Sequence, residues 1–187
     1  MKLWRNIGDR EIVWLLLGIV AIAVWATNAL ALETARGPSD WELADVIAGK
    51  DGAGDVEQKL GNSPCLVPSF SGETVSYLYN VSGKRKPHYL RLEVNGLVDA
   101  ITLSQDPPLA GVCYAPAKVS QPIRTGKGIE LGASIDDVLK IYGEPTERFA
   151  VGPMARYRYV AMYDRTYEWN LVFRNGRLVE WTVATEE

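Results

Sequence analysis

The chain has 187 residues, of which 47% are hydrophobic and 23% charged, and its net charge is -3 at neutral pH. That is the composition of an ordinary globular protein, long enough for one sizeable core and short for two large domains. A mildly acidic chain lacks the concentrated positive field that a phosphate backbone requires, which argues against nucleic acid as a partner.

Lys2, Arg5 and Arg10 precede an uncharged stretch over residues 12–32. A helix of that length spans roughly 30 Å, the thickness of the hydrocarbon layer, and Trp14 and Trp25 fall near its two ends. Positive charges ahead of it hold residues 1–11 in the cytoplasm and send the remainder outward. Ala29-Leu30-Ala31 before Leu32 also has the small-x-small form of a signal-peptidase site, so a retained transmembrane anchor and a cleaved signal segment both stand. In either case the body lies outside the cytoplasm. There the two cysteines, Cys65 and Cys113, are expected to close a disulfide. No Cys-x-x-Cys is present and His88 is the only histidine, so neither a redox nor a metal site is expected, and no cofactor.

Residues 33–39 read as a polar link. Ser39 or Asp40 is placed to cap a helix over 41–48, where Trp41, Leu43, Ala44 and Ile47 have helical spacing, and Gly49 ends it. A second helix is expected over 53–60, stopped by Gly61. Strands follow at 74–80, 88–94 and 97–103, the last two joined by Asn95-Gly96, a strong hairpin signal because both residues tolerate positive φ. With those two in the loop, Val94 faces Leu97, Leu92 faces Asp99 and Leu90 faces Ile101. Residues 105–128, rich in proline and glycine, read as an irregular connector that the disulfide ties down.

The order then returns. Gly52-Ala53-Gly54 through Leu60-Gly61 is echoed by Gly132-Ala133-Ser134 through Tyr142-Gly143 about eighty residues later, each followed by a proline, a tyrosine pair and an Asn-Gly turn. Ser134 is the expected N-cap of a helix that Gly143 ends, with Asp136 and Asp137 in its first turn. Strands are expected at 156–162, 167–174 and 177–184, with Leu171, Phe173 and Leu178 on one face and Val172, Val179 and Trp181 on the other. The expected fold is therefore α+β: two tandem units of helix plus three antiparallel strands, at 40–104 and 129–187, joined by the connector.

The segment from Gly132 to Thr146, with Gly-x-Ser, a Val four residues on and then Gly-x-Pro-Thr, resembles the opening of the SmpA/OmlA family of small envelope proteins. Two such units in tandem resemble the arrangement of β-lactamase inhibitor protein. The lipid-modified cysteine of the outer-membrane lipoproteins is absent, and the first copy lacks the serine. The resemblance implies a binding module of the bacterial envelope. With the N-terminal segment, the expected location is the bacterial inner membrane, single pass, with the C-terminal domain in the periplasm, or the periplasm or medium after cleavage before Leu32.

Candidate contacts are few. Tyr77 and Tyr79, and Tyr157 and Tyr159, put their rings on one face of their strands, either packed in the sheet or offered to a protein partner, with Arg156 and Arg158 on the opposite face. Lys84, Arg85, Lys86 and Arg91, with His88, form the only dense basic cluster: a solvated turn, or a contact for anionic lipid or an acidic partner. No catalytic residue is assigned. Asp136 and Asp137 already serve a helix start, and neighbouring helical side chains point about 100° apart, which makes them a poor acid/base pair. The expectation is a non-enzymatic, membrane-anchored accessory or assembly subunit that binds another envelope or membrane protein. A secreted proteinaceous inhibitor or binder of a hydrolase is the alternative, and a glycan-acting hydrolase the second.

Overall fold

A computed structural model describes residues 40–69, 72–82, 87–119 and 123–186. The expected anchor or signal segment lies outside the described residues. Among those described, no helix is long and apolar enough to cross a membrane.

Asp40 opens the described chain, and residues 41–48 fold not as the expected helix but as a hairpin, β1 (Glu42–Leu43) with β2 (Val46–Ile47). Ala44 and Asp45 both take positive φ in its two-residue turn, 54° and 66°. The spacing that suggested a helix is real, but Leu43, Val46 and Ala48 reach the core from an extended backbone. Helix α1 (Ala53–Leu60) follows, ended by Gly61, then β3 (Leu66–Pro68), β4 (Val75–Ser82), β5 (Pro87–Asn95), β6 (Leu97–Ser104) and the short β7 (Ala115–Pro116). Helix α2 (Ile135–Tyr142) precedes β8 (Glu147–Val151), β9 (Met154–Met162), β10 (Thr166–Arg174) and β11 (Arg177–Glu186).

Apart from the β1–β2 pair, the strands form one sheet in the order β3-β4-β5-β6-β11-β10-β9-β8, with β7 pairing β4 off this path. The chain is thus mostly β, with two eight-residue helices among the described residues, and the expected tandem of helix-plus-three-strand units is overturned. β6 pairs directly with β11, and residues Gly37–Glu187 form a single compact unit. Local echoes persist at the helix ends. Tyr79 Oη donates to the carbonyl of Gly61 at 2.8 Å, and Tyr159 Oη donates to that of Gly143 at 3.1 Å.

Two bulges set the register. In β5–β6 the turn tightens to Gly96 alone and a bulge falls at Glu93/Val94, so Leu92 faces Ile101 and Leu90 faces Leu103. Both partners differ from expectation by two residues, an even slip that keeps Ile101 and Leu103 on their expected face, whereas next to the turn Val94 faces Val98 and not the expected Leu97, so Val98 is buried and Leu97 is exposed. In β10–β11 the turn is the expected one, with Asn175 and Gly176 both at positive φ, 52° and 72°. There a bulge at Val172/Phe173 adds Val179, which moves Trp181 opposite Leu171 and onto the core face, correcting its expected side.

The helices and the β1–β2 hairpin cover one face of the sheet. Beneath them lie Val56, Leu60, Val138 and Tyr142 from the helices, and Leu90, Leu92, Ile101, Leu103, Trp169, Leu171, Phe173, Trp181 and Val183 from the strands. α2 is capped as expected: Ser134 Oγ accepts from Asp137 N–H at 3.1 Å, and Asp137 Oδ2 accepts from Ser134 N–H at 3.2 Å.

Asp40, expected at a helix cap, is instead the hub of a buried polar knot. Its carboxylate accepts from Tyr142 Oη at 2.7 Å and from Lys127 N–H at 3.1 Å, and its carbonyl accepts from Trp169 Nε1 at 2.6 Å. Burial first, and the Asp40 charge second, push the Tyr142 phenol far above its ordinary range, so it stays a donor at any physiological pH. Tyr142→Phe leaves the carboxylate without that donor and is expected to cost about 1–3 kcal/mol in denaturant melts; a change within experimental error would show that Asp40 does not depend on it.

Candidate functional site

Among the described residues, the second face of the sheet is closed at one end only. The connector returns from β6 to the outer edge of β4, held by the Cys65–Cys113 disulfide (Cα–Cα 5.4 Å), and sets Tyr114 edge-on against Tyr89, 4.9 Å between ring centres. Leu78, which alternates onto this face, is fully buried there. Tyr114 Oη donates to the carbonyl of Leu109 and accepts from its N–H, each at 2.9 Å, which fixes the connector's own fold.

Across β11, β10, β9 and β8 no described element covers this face, and its side chains satisfy one another. Arg158 bridges strands in both directions, to Glu147 at 3.0 Å and to Glu168 at 2.6 Å. Glu168 also accepts from Asn170 Nδ2 at 2.6 Å, and Asn170 Oδ1 accepts from Arg156 Nε at 2.9 Å. The ladder therefore runs Glu147, Arg158, Glu168, Asn170, Arg156 across β8, β9 and β10. The Arg158 hydrogen bond, against a smaller opposing effect of burial, holds the Glu168 carboxyl below its ordinary range. Farther along the same face Thr182 Oγ1 donates to Thr102 Oγ1 at 3.1 Å.

Glu180, on the same face, is the exception. Burial raises its pKa and outweighs the nearby Arg156. A carboxyl whose folded pKa lies above its unfolded one binds its proton more tightly in the native state, so its effect is to weaken the fold as pH rises past the unfolded value. Glu180→Gln is expected to stabilise the protein at pH 7 and to lose that advantage once the medium is acidic enough to protonate both states. Melting curves at the two pH values check this, and an equal difference at both would sink it.

Of the two readings of the tyrosine pairs, packing in the sheet holds and the partner contact does not. Tyr77, Tyr79, Tyr157 and Tyr159 are buried on the helix face, at most 8% exposed, so their rings pack the core and are not offered to a partner. Burial, with the Glu57 charge second, raises the Tyr79 phenol to about 12. Arg156 and Arg158 do lie on the opposite, uncovered face, as their alternation implied. Of the basic cluster, Lys84, Arg85 and Lys86 lie outside the described residues, and Arg91 is engaged within the sheet, paired with Glu93 at 2.6 Å and donating to Ser76 Oγ at 3.3 Å. Burial lowers the pKa of His88.

What the sequence reading missed is strand β8 itself. All five of its residues are exposed, Phe149 at 67% and Val151 at 61%, so no alternation of burial marked it. One signal was present: Gly152-Pro153 between two β-prone runs, a two-residue hairpin loop with Gly152 at φ 55°.

A cleft of about 250 Å³ opens beside the β1–β2 hairpin, lined by Glu42, Leu43, Asp45, Val119, Ile123 and Arg124. It brings together none of the expected site residues. Among the described residues, no group of three or more His, Cys, Asp or Glu is placed to hold a metal ion.

No family model and no curated protein matches the chain. Among solved structures, an extracellular protein containing an SCP domain from Bacillus anthracis str. Ames is similar at 13% identity and a TM-score of 0.47, over 80% of this chain and 47% of that one. The chain thus spans about half of that protein's length. The resemblance to the SmpA/OmlA family and to the tandem arrangement of β-lactamase inhibitor protein is not upheld: no family model supports it, and the continuous, mostly β body replaces the units it required.

Proposed function

We propose that the chain is a non-enzymatic binding protein of an extracytoplasmic compartment, which holds another folded protein on the uncovered face of its sheet. The observation that carries this is the ladder from Glu147 to Arg156, a broad surface of side chains already fixed by their own hydrogen bonds. Groups held in place before encounter lose little conformational freedom on binding, and interleaved charges of both signs select a complementary partner over others. The closed disulfide suits an oxidising compartment. The form we favour is a secreted or periplasmic binder, of which an inhibitor of a hydrolase is one case. The body carries its own core and cross-link and needs no tether to present this face.

The test is capture from the secreted fraction of the source cells by the immobilised body, with the retained protein identified by mass spectrometry and assayed for hydrolase activity. Arg156→Glu with Arg158→Glu is expected to weaken capture at least tenfold, while Lys140→Glu, an exposed change on the helix side, leaves it unaltered. Equal capture by all three proteins would remove the sheet face from the proposal.

A further inference from the structure

The two edges of the sheet are built differently. On one side β3 and β7 carry Pro68 and Pro116, residues that cannot extend a hydrogen-bond ladder. On the other side β8, Glu147-Arg148-Phe149-Ala150-Val151, has neither a proline nor a bulge. Its two charges do not guard it, because Glu147 is paired with Arg158, and Arg148 is paired with Glu144 while lying over the Tyr157 ring. An edge of this kind, with Phe149 and Val151 exposed on one face, is a template for another strand.

The register says which strand. Val151 and Met154 close the two-residue loop, so the backbone groups of residues 147, 149 and 151 turn toward β9 while those of Arg148 and Ala150 point outward. Consider a second β8 laid antiparallel about a two-fold axis through Phe149. Arg148 then meets Ala150 of the copy and exchanges both hydrogen bonds with it, and the same holds in reverse. Phe149 meets its twin at the non-hydrogen-bonded position, where side chains approach most closely. Glu147 falls opposite Val151, so no like charges face each other directly.

We infer that β8 is a self-pairing edge, through which two copies of this chain join as an isologous dimer with one continuous sheet. This inference is independent of the binding function proposed above. Five residues a side bury an area at the low end for specific association, so the dimer is weak, with a dissociation constant on the order of 10–100 µM.

Sedimentation equilibrium of residues Gly37–Glu187, the compact unit, from about 5 µM to about 1 mM spans this range. A monomer–dimer equilibrium is expected for the wild type, with at least a tenfold weaker one for Phe149→Glu, which sets like charges opposite each other at the axis. Circular dichroism confirms that the variant keeps its fold. Because Cys65 and Cys113 are joined, a single added thiol reports on register. Treated with copper–phenanthroline as oxidant, Phe149→Cys is expected to give the covalent dimer at least tenfold faster than Glu147→Cys, whose twin lies four residues out of step. A monomer at every concentration, equal association of wild type and Phe149→Glu, or equal cross-linking of the two cysteine variants would each overturn the inference.

Discussion

Replacing Trp169 by alanine is expected to cost about 3–5 kcal/mol, toward the upper end of that range. Its indole is fully buried, stacks on Tyr167 at 5.8 Å between ring centres, and donates to the Asp40 carbonyl at 2.6 Å. Truncation empties that volume and also leaves a buried carbonyl unpaired, and the two losses act together. The column continues outward, because Tyr167 also meets Trp41 at 5.4 Å, so the cavity would loosen the seat of the first hairpin as well. Urea denaturation followed by far-ultraviolet circular dichroism measures the effect. A loss below about 1 kcal/mol would mean that the aromatic column is not a packed element of the core.

The second large effect is expected from the disulfide. Joining positions 48 apart restricts the unfolded chain by about 4 kcal/mol on the loop-closure argument, so Cys65→Ala with Cys113→Ala should lower stability by roughly that amount. The bond does more than shorten the unfolded chain, because it holds the segment that closes the second face over Leu78 and Tyr89. Its removal is expected to open that end first. Amide exchange in β4 and β5 would then speed up before any change in β9 and β10. Uniform acceleration over the whole sheet would show that the connector is not a separate latch.

The local signals in the sequence were mostly legible, and the long-range ones were not. Asn175-Gly176, the Ser134 cap and the glycines ending both helices could be read because each is a chemical requirement of its own few residues. The hairpin at 41–48 was misread because Trp41, Leu43, Ala44 and Ile47 satisfy a helical period, while the αL conformations of Ala44 and Asp45 leave no mark in their residue types. The bulge that carries Trp181 across the sheet adds one residue, and a period-two pattern cannot say where that residue falls. The pairing of β6 with β11 joins segments about eighty residues apart, and nothing in either strand names the other. For the candidate site the alternation placed Arg156 and Arg158 on their face, but it could not show that Glu147 and Glu168 would meet Arg158 from neighbouring strands. For a related reason the tyrosine pairs stay open in the sequence between packing and contact, since ring position along a strand gives the side and not what covers it.

The strand order carries a consequence for how the sheet is completed. β11 follows the other strands of the sheet in sequence, yet it lies in the middle of the sheet, flanked by β6 and β10. Until Arg177–Glu186 docks, β6 has no neighbour on that side and β10 lacks one of its two, so the two halves of the sheet stay unjoined. Deleting residues 177–186 would therefore remove a central stave and not a loose end.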